Sequence, residues 1–101
     1  ELFKYYFEKI IKEAKKFNQK IIVITYNLQE DVTKPPSWRY NFIKNYFIEN
    51  NIQHVDSLII MKNKLTEYNE EIENYFGPDG HNNKKSYEYI FNEFLKIYKA
   101  I

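Results

Sequence analysis

The chain has no cysteine, and only two glycines and three prolines among its 101 residues. Without thiols there can be no disulfide, thiolate metal site or cysteine nucleophile, although the compartment stays open because many exported proteins also lack cysteine. So little glycine and proline argues against a turn-rich β-sandwich, and a 44% hydrophobic content argues against disorder. Long apolar runs are missing as well. The strongest, Ile21 to Ile24 and Leu58 to Met61, fall far short of the ~20 residues a membrane helix requires. A dominant charge is also absent: fifteen Lys plus Arg against 14 Asp plus Glu leave +1, too little for the broad positive field of non-specific nucleic-acid binding. Lys15-Lys16 and Lys84-Lys85 are isolated pairs that read as solvated faces. No basic head or cleavage site precedes the first helical pattern, so no secretory leader is expected.

What is present is one modest core in one domain or less. Phe3, Phe7, Ile10, Ile11, Ala14 and Phe17 recur at three- and four-residue steps, which predicts an amphipathic helix over residues 2 to 17, closed at Asn18. Ile21 to Tyr26 follows as a strand. Its four consecutive apolar β-branched residues, Ile21 to Ile24, make it apolar on both faces, the signature of an interior strand in a parallel sheet. Asn27 to Ser37, polar and with two prolines, reads as an exposed loop. Ser37 then caps a helix over 38 to 49, and Ile52 to Ser57 forms a second, shorter strand. Leu65, Tyr68, Ile72 and Phe76 place a third helix over about 62 to 75, stopped by Gly77-Pro78. Asp79 to Asn83 is a short polar loop, and Asn82 or Asn83 caps a last helix that runs to the end of the chain.

That order, with four helices and two strands, is the α/β class with right-handed crossovers. Two strands make a poor sheet for so apolar a first strand. The chain, 1–101, therefore reads as a single partial domain, and the isolated piece is expected to associate or aggregate.

Histidine is the side chain best suited to proton transfer near neutrality, and there are two. His54 lies inside a predicted strand and reads as a structural residue. His81 lies in a loop just before a helix, two residues after Asp79, with Gly80 between them allowing a tight path. A carboxylate beside an imidazole fixes its tautomer and stabilises the imidazolium, as a general base for a serine hydroxyl needs. The alternative is that Pro-Asp-Gly is simply a good β-turn sequence and that Asp, His and Asn serve as caps. Two histidines in different elements supply no metal-ligand spacing, and no cofactor is implied.

The stretch FGPDGHNNKKSYEYIFNEFLKIYKAI resembles the last block of the SGNH/GDSL hydrolase superfamily, in which an Asp and a His in a loop precede an amphipathic C-terminal helix. The upstream order is similar too: a helix, the IIVITYN strand, a loop, a helix ending in IENNI, and the strand HVDS. Many members place the Asp three residues before the His. Here the gap is two, with Gly between, which resembles branches related to polysaccharide O-acetyl transfer. The resemblance covers the C-terminal half of a typical member. It implies a three-layer, flavodoxin-like parallel sheet flanked by helices, and a serine esterase or O-acyltransferase acting on ester substrates, commonly acetyl groups on carbohydrate. His81 would be the general base and Asp79 its orienting acid, while the nucleophile would lie in a Gly-Asp-Ser-like block outside this chain. Ser37, Ser57 and Ser86 do not follow a Gly-Asp pair, and none is assigned as nucleophile. In a completed sheet the Asn27 to Ser37 loop would share the mouth of the site with His81, and the aromatic residues Tyr26, Trp38 and Tyr40 that flank it would either stack on a sugar or simply pack. The competing reading is a non-catalytic α/β interaction domain that completes its sheet with a second copy or another chain.

Overall fold

The computed structural model describes residues 2–101 as a mixed α/β unit. Helix α1 (Leu2–Lys16) leads into strand β1 (Ile22–Thr25), and a one-turn helix α2 (Gln29–Val32) interrupts the following loop. Helix α3 (Trp38–Glu49), strand β2 (Gln53–Asp56) and helix α4 (Ser57–Tyr68) follow. A 3-10 turn (Ile72–Tyr75) then precedes the final helix α5 (Lys84–Ala100). The strands pair in parallel, with Ile22 opposite Gln53 and Thr25 opposite Asp56.

Local chemistry sets most of the boundaries. Asn18 and Asn51 adopt the left-handed conformation, at φ 54° in both cases, just past α1 and α3, where a residue tolerant of that region is needed to turn the chain out of a helix. The Ser37 hydroxyl accepts from the Tyr40 amide at 3.2 Å and opens α3, and Asn83 caps α5 by accepting from the Ser86 amide at 3.1 Å. The third long helix differs from the sequence expectation at both ends. It begins at Ser57 and not near 62, because Asp56 Oδ1 accepts from the amides of Leu58 at 3.1 Å and Ile59 at 3.4 Å and so nucleates the first turn. It ends at Tyr68, where Asn69 is left-handed at φ 50°, and the remaining apolar residues of the expected helix form the 3-10 turn. With α2, the helices number five among the described residues, against the four expected.

Alternation along the strands divides the apolar residues between two clusters. On one face Ile22, Ile24 and Val55 join Leu58, Met61 and Ile90, together with the fully buried Tyr75. On the other face Phe47 packs against the His54 ring at 4.8 Å. Phe3 and Phe7 of α1 extend that cluster onto α3, edge-on to Tyr46 at 5.3 Å and tilted on Phe47 at 5.1 Å respectively. Among the described residues no helix is long and apolar enough to cross a membrane.

Candidate functional site

The loop carrying Asp79 and His81 is built as a small closed hairpin. Phe76 and Asn82 form an isolated antiparallel bridge, the Gly77 amide donates to the His81 carbonyl at 2.8 Å, and the Gly80 amide donates to the Gly77 carbonyl at 3.0 Å. Gly80 takes φ 81°, a conformation that an L side chain at this position would strain. The loop is pinned to the carboxyl end of β1: the Gln29 amide donates to the Gly80 carbonyl at 2.9 Å, and the Asn82 side-chain amide donates to the Asn27 carbonyl at 3.2 Å.

Within this frame Asp79 holds His81 at two points. One carboxylate oxygen accepts from the His81 backbone amide at 3.1 Å, and the other lies 3.2 Å from Nδ1 of the ring. These contacts, the backbone bond foremost and the imidazole next, keep the Asp79 carboxyl below its ordinary range. Both side chains are open to solvent, His81 at 66% and Asp79 at 71% exposure. Nε2 has no hydrogen-bond partner among the described residues, so the pair presents an oriented ring with one nitrogen available. A groove of about 510 Å³ between Leu28, Gln29, Thr33, Pro78 and Asp79 runs alongside.

Each serine is committed to the framework. Ser37 caps α3, the Ser57 hydroxyl donates to Asn27 Oδ1 at 2.8 Å, and the Ser86 hydroxyl donates to Asn82 Oδ1 at 2.9 Å. Asn27 therefore ties the end of β1 to the start of α4 and to the Asp79–His81 loop at once. Sequence reasoning did not single it out. The available signal was its position as the first polar residue after an apolar strand, which no spacing rule distinguishes from an ordinary loop start.

His54 occupies a different setting. Its Nε2 lies 2.8 Å from the Thr25 hydroxyl across the strand pair, and burial lowers its pKa, with Asp56 opposing and Lys44 reinforcing that shift. Next to it the Tyr40 hydroxyl donates to Asp56, and Lys44 lies 3.5 Å from the same carboxylate. Burial and the Asp56 carboxylate together push the Tyr40 phenol well above its usual range. A cleft of about 380 Å³ lies at this end of the sheet, lined among others by Thr25, Asn27, Tyr40 and His54. Of the three aromatic residues flanking the loop, Tyr26 and Tyr40 reach the cleft. Trp38 stands outside it, exposed and under the Arg39 guanidinium at 5.3 Å. Among the described residues no group of three or more His, Asp or Glu side chains could hold a metal ion.

No protein-family model matches this chain, and searches of curated proteins and of solved structures find no similar protein.

Proposed function

We propose that this chain is the C-terminal part of a serine esterase or O-acyltransferase of the SGNH kind, its two strands belonging to a larger flavodoxin-like sheet. The observation that carries the reading is the double grip of Asp79 on His81, through both Nδ1 and the backbone amide, in a loop docked at the carboxyl end of β1. Ligands of open α/β sheets bind beyond the carboxyl ends of the strands. With its proton fixed on Nδ1 by the carboxylate, the His81 ring offers Nε2 to a hydroxyl. It takes the proton of a serine, supplied by polypeptide outside these residues, as that oxygen attacks an ester carbonyl, and returns it to the departing alcohol. Asp79 stabilises the imidazolium meanwhile. Repeating the sequence with water completes hydrolysis, and with a sugar hydroxyl it completes acyl transfer. An acetyl ester on carbohydrate is the substrate class, and the chemistry requires no cofactor. The reading requires the serine-bearing polypeptide to cover the exposed pair, because a general base works in a site shielded from water.

The test is hydrolysis of a model acetyl ester by the protein that includes the serine-bearing polypeptide. His81→Ala should lower turnover about a thousandfold, within the range general-base residues contribute, with unchanged far-UV circular dichroism. Turnover equal to the parent would overturn the proposal.

The open sheet supports one other reading, a non-catalytic domain that pairs its edge with a second chain. In that case ester turnover would be absent from the parent protein as well.

A further inference from the structure

Apart from tyrosine, the buried polar residues among the described ones are two serines, Ser57 at 1% exposure and Ser86 at 0%. A buried hydroxyl is costly without a partner, so the partner each one takes is informative. The two serines lie in the first turns of different helices, α4 and α5, yet they hold the two ends of one bridge. Ser57 donates to Asn27 Oδ1 at 2.8 Å. Ser86 donates to Asn82 Oδ1 at 2.9 Å, with the Asn83 carbonyl at 3.1 Å as a second acceptor. Between them the Asn82 Nδ2 donates to the Asn27 carbonyl at 3.2 Å.

The direction of this chain of bonds follows from the groups in it. A backbone carbonyl only accepts, so Asn82 must turn its amino group to Asn27 and its oxygen to Ser86, and Ser86 must be the donor. The bridge joins the carboxyl end of β1 to the residue directly after His81. Asn82 is held through its backbone as well, by the antiparallel pairing with Phe76 and, one residue on, by the Asn83 amide on the Tyr75 carbonyl at 3.1 Å. Asp79 and His81 belong to the same loop, so their contacts set the angle of the ring within that loop and not where the loop stands on the sheet. Its place depends on the Asn82 side chain and on the Gln29 amide at the Gly80 carbonyl.

Resting on the proposed function, we infer that Asn82 and Ser86 are positioning residues for His81. The buried Ser86 hydroxyl holds the Asn82 side chain in the one orientation that docks the loop, and the docked loop fixes the distance of the ring from the ends of the strands. Ser57 steadies Asn27 from the opposite side. None of these groups touches the reacting atoms.

The test is amide exchange in the 101-residue chain, followed by ester hydrolysis where the proposed serine-bearing polypeptide is present. Asn82→Asp is nearly isosteric, keeps an acceptor for Ser86 and sets a second acceptor against the Asn27 carbonyl. It should speed exchange of the Gln29 amide at least about tenfold, because that amide loses Gly80 when the loop lifts, while Ile22–Thr25 and the Gly77 amide inside the hairpin keep the parent rates. Ser86→Ala, which adds no charge, should speed Gln29 in the same selective way. In hydrolysis both variants should lower kcat at least about tenfold with KM unchanged, as a misplaced base does. The pH profile of kcat in Ser86→Ala should match the parent, since the grip of Asp79 on the ring is intact. Gln29 exchange at the parent rate in both variants would overturn the inference. So would acceleration spread equally over Ile22–Thr25, because the bridge would then support the whole fold and not the loop. The two proposals fail separately. A parent without ester hydrolysis removes the activity, while Gln29 exchange still decides whether the bridge docks the loop. His81-dependent hydrolysis that both variants leave at the parent rate removes the positioning role and keeps the activity.

Discussion

The two histidines show how differently one side chain can be placed by its surroundings. His54 sits in mid-strand, its ring against Phe47 and its Nε2 on the Thr25 hydroxyl. Burial disfavours its charged form. Its hydrogen-bonding nitrogen is spent inside the molecule, so the ring contributes packing and cross-strand registry. His81 has almost no packing, and a carboxylate grips its Nδ1 and its backbone amide while Nε2 stays open. Removing the first should therefore cost stability, and removing the second should cost activity. The lesson is that a ring oriented by a carboxylate with one nitrogen open, as at His81, is the one the proposed function can use, whereas burial with a satisfied partner leaves His54 to packing and registry.

The largest expected effect is the activity loss of His81→Ala, about a thousandfold where the proposed serine-bearing polypeptide is present. The midpoint of thermal unfolding of these 101 residues should hardly move. A large fall in that midpoint would erase the contrast between the two rings. Next comes His54→Ala, which removes the ring from Phe47 and leaves the Thr25 hydroxyl without its partner. A loss of about 2 kcal/mol in urea unfolding is expected, and a value near zero would show that His54 is not structural.

A third effect sharpens the contrast through pH. Because the folded-state pKa of His54 is lowered below its ordinary 6.5, the unfolded chain binds a proton before the folded one does. Stability is therefore full above about pH 6.5 and falls as the pH drops below it, down to the lowered folded value. Asp79 shifts in the same direction, downward, but in a separate and more acidic window. Its depressed folded pKa gives stability that is present above its usual 3.8 and disappears only at pH below that. Urea unfolding between pH 7.5 and 5.5 should thus show a decline in the parent that vanishes in His54→Gln. An equal decline in both would place its origin elsewhere.

The smallest effect concerns Tyr46, which lies in the aromatic cluster with His54's neighbour Phe47 and whose buried hydroxyl has no hydrogen-bond partner among the described residues. Tyr46→Phe should be neutral or stabilising by up to about 1 kcal/mol, since an unsatisfied buried hydroxyl is a cost. A clear loss of stability would reveal a hydrogen bond at that oxygen.

Much of the fold was legible because its signals are local. The run Ile21 to Ile24, the Ser37 and Asn83 caps and the asparagines at helix ends act within a few residues, and each appears where expected. The start of α4 was misjudged because Asp56 reads as strand in the sequence while its side chain serves as a cap, so one residue closes β2 and opens the helix. The end was misjudged because Ile72 and Phe76 continue the helical spacing although Asn69 turns left-handed. At the candidate site, the nearness of Asp79 to His81 could be read from their separation of two residues. The docking of their loop on Asn27 and Gln29 could not, because it links residues about fifty apart, and its acceptors are backbone carbonyls that every residue carries alike.

The account turns on which nitrogen of His81 carries the proton, and long-range proton–nitrogen correlation spectra of the 101-residue chain above pH 7.5 report that directly. With Asp79 accepting at Nδ1, the Nδ1–H tautomer should dominate, and Asp79→Ala should return the ring to the Nε2–H form favoured by free imidazole side chains. A parent spectrum already showing the Nε2–H form, unchanged by Asp79→Ala, would contradict the claim that this carboxylate holds the ring ready to accept a proton.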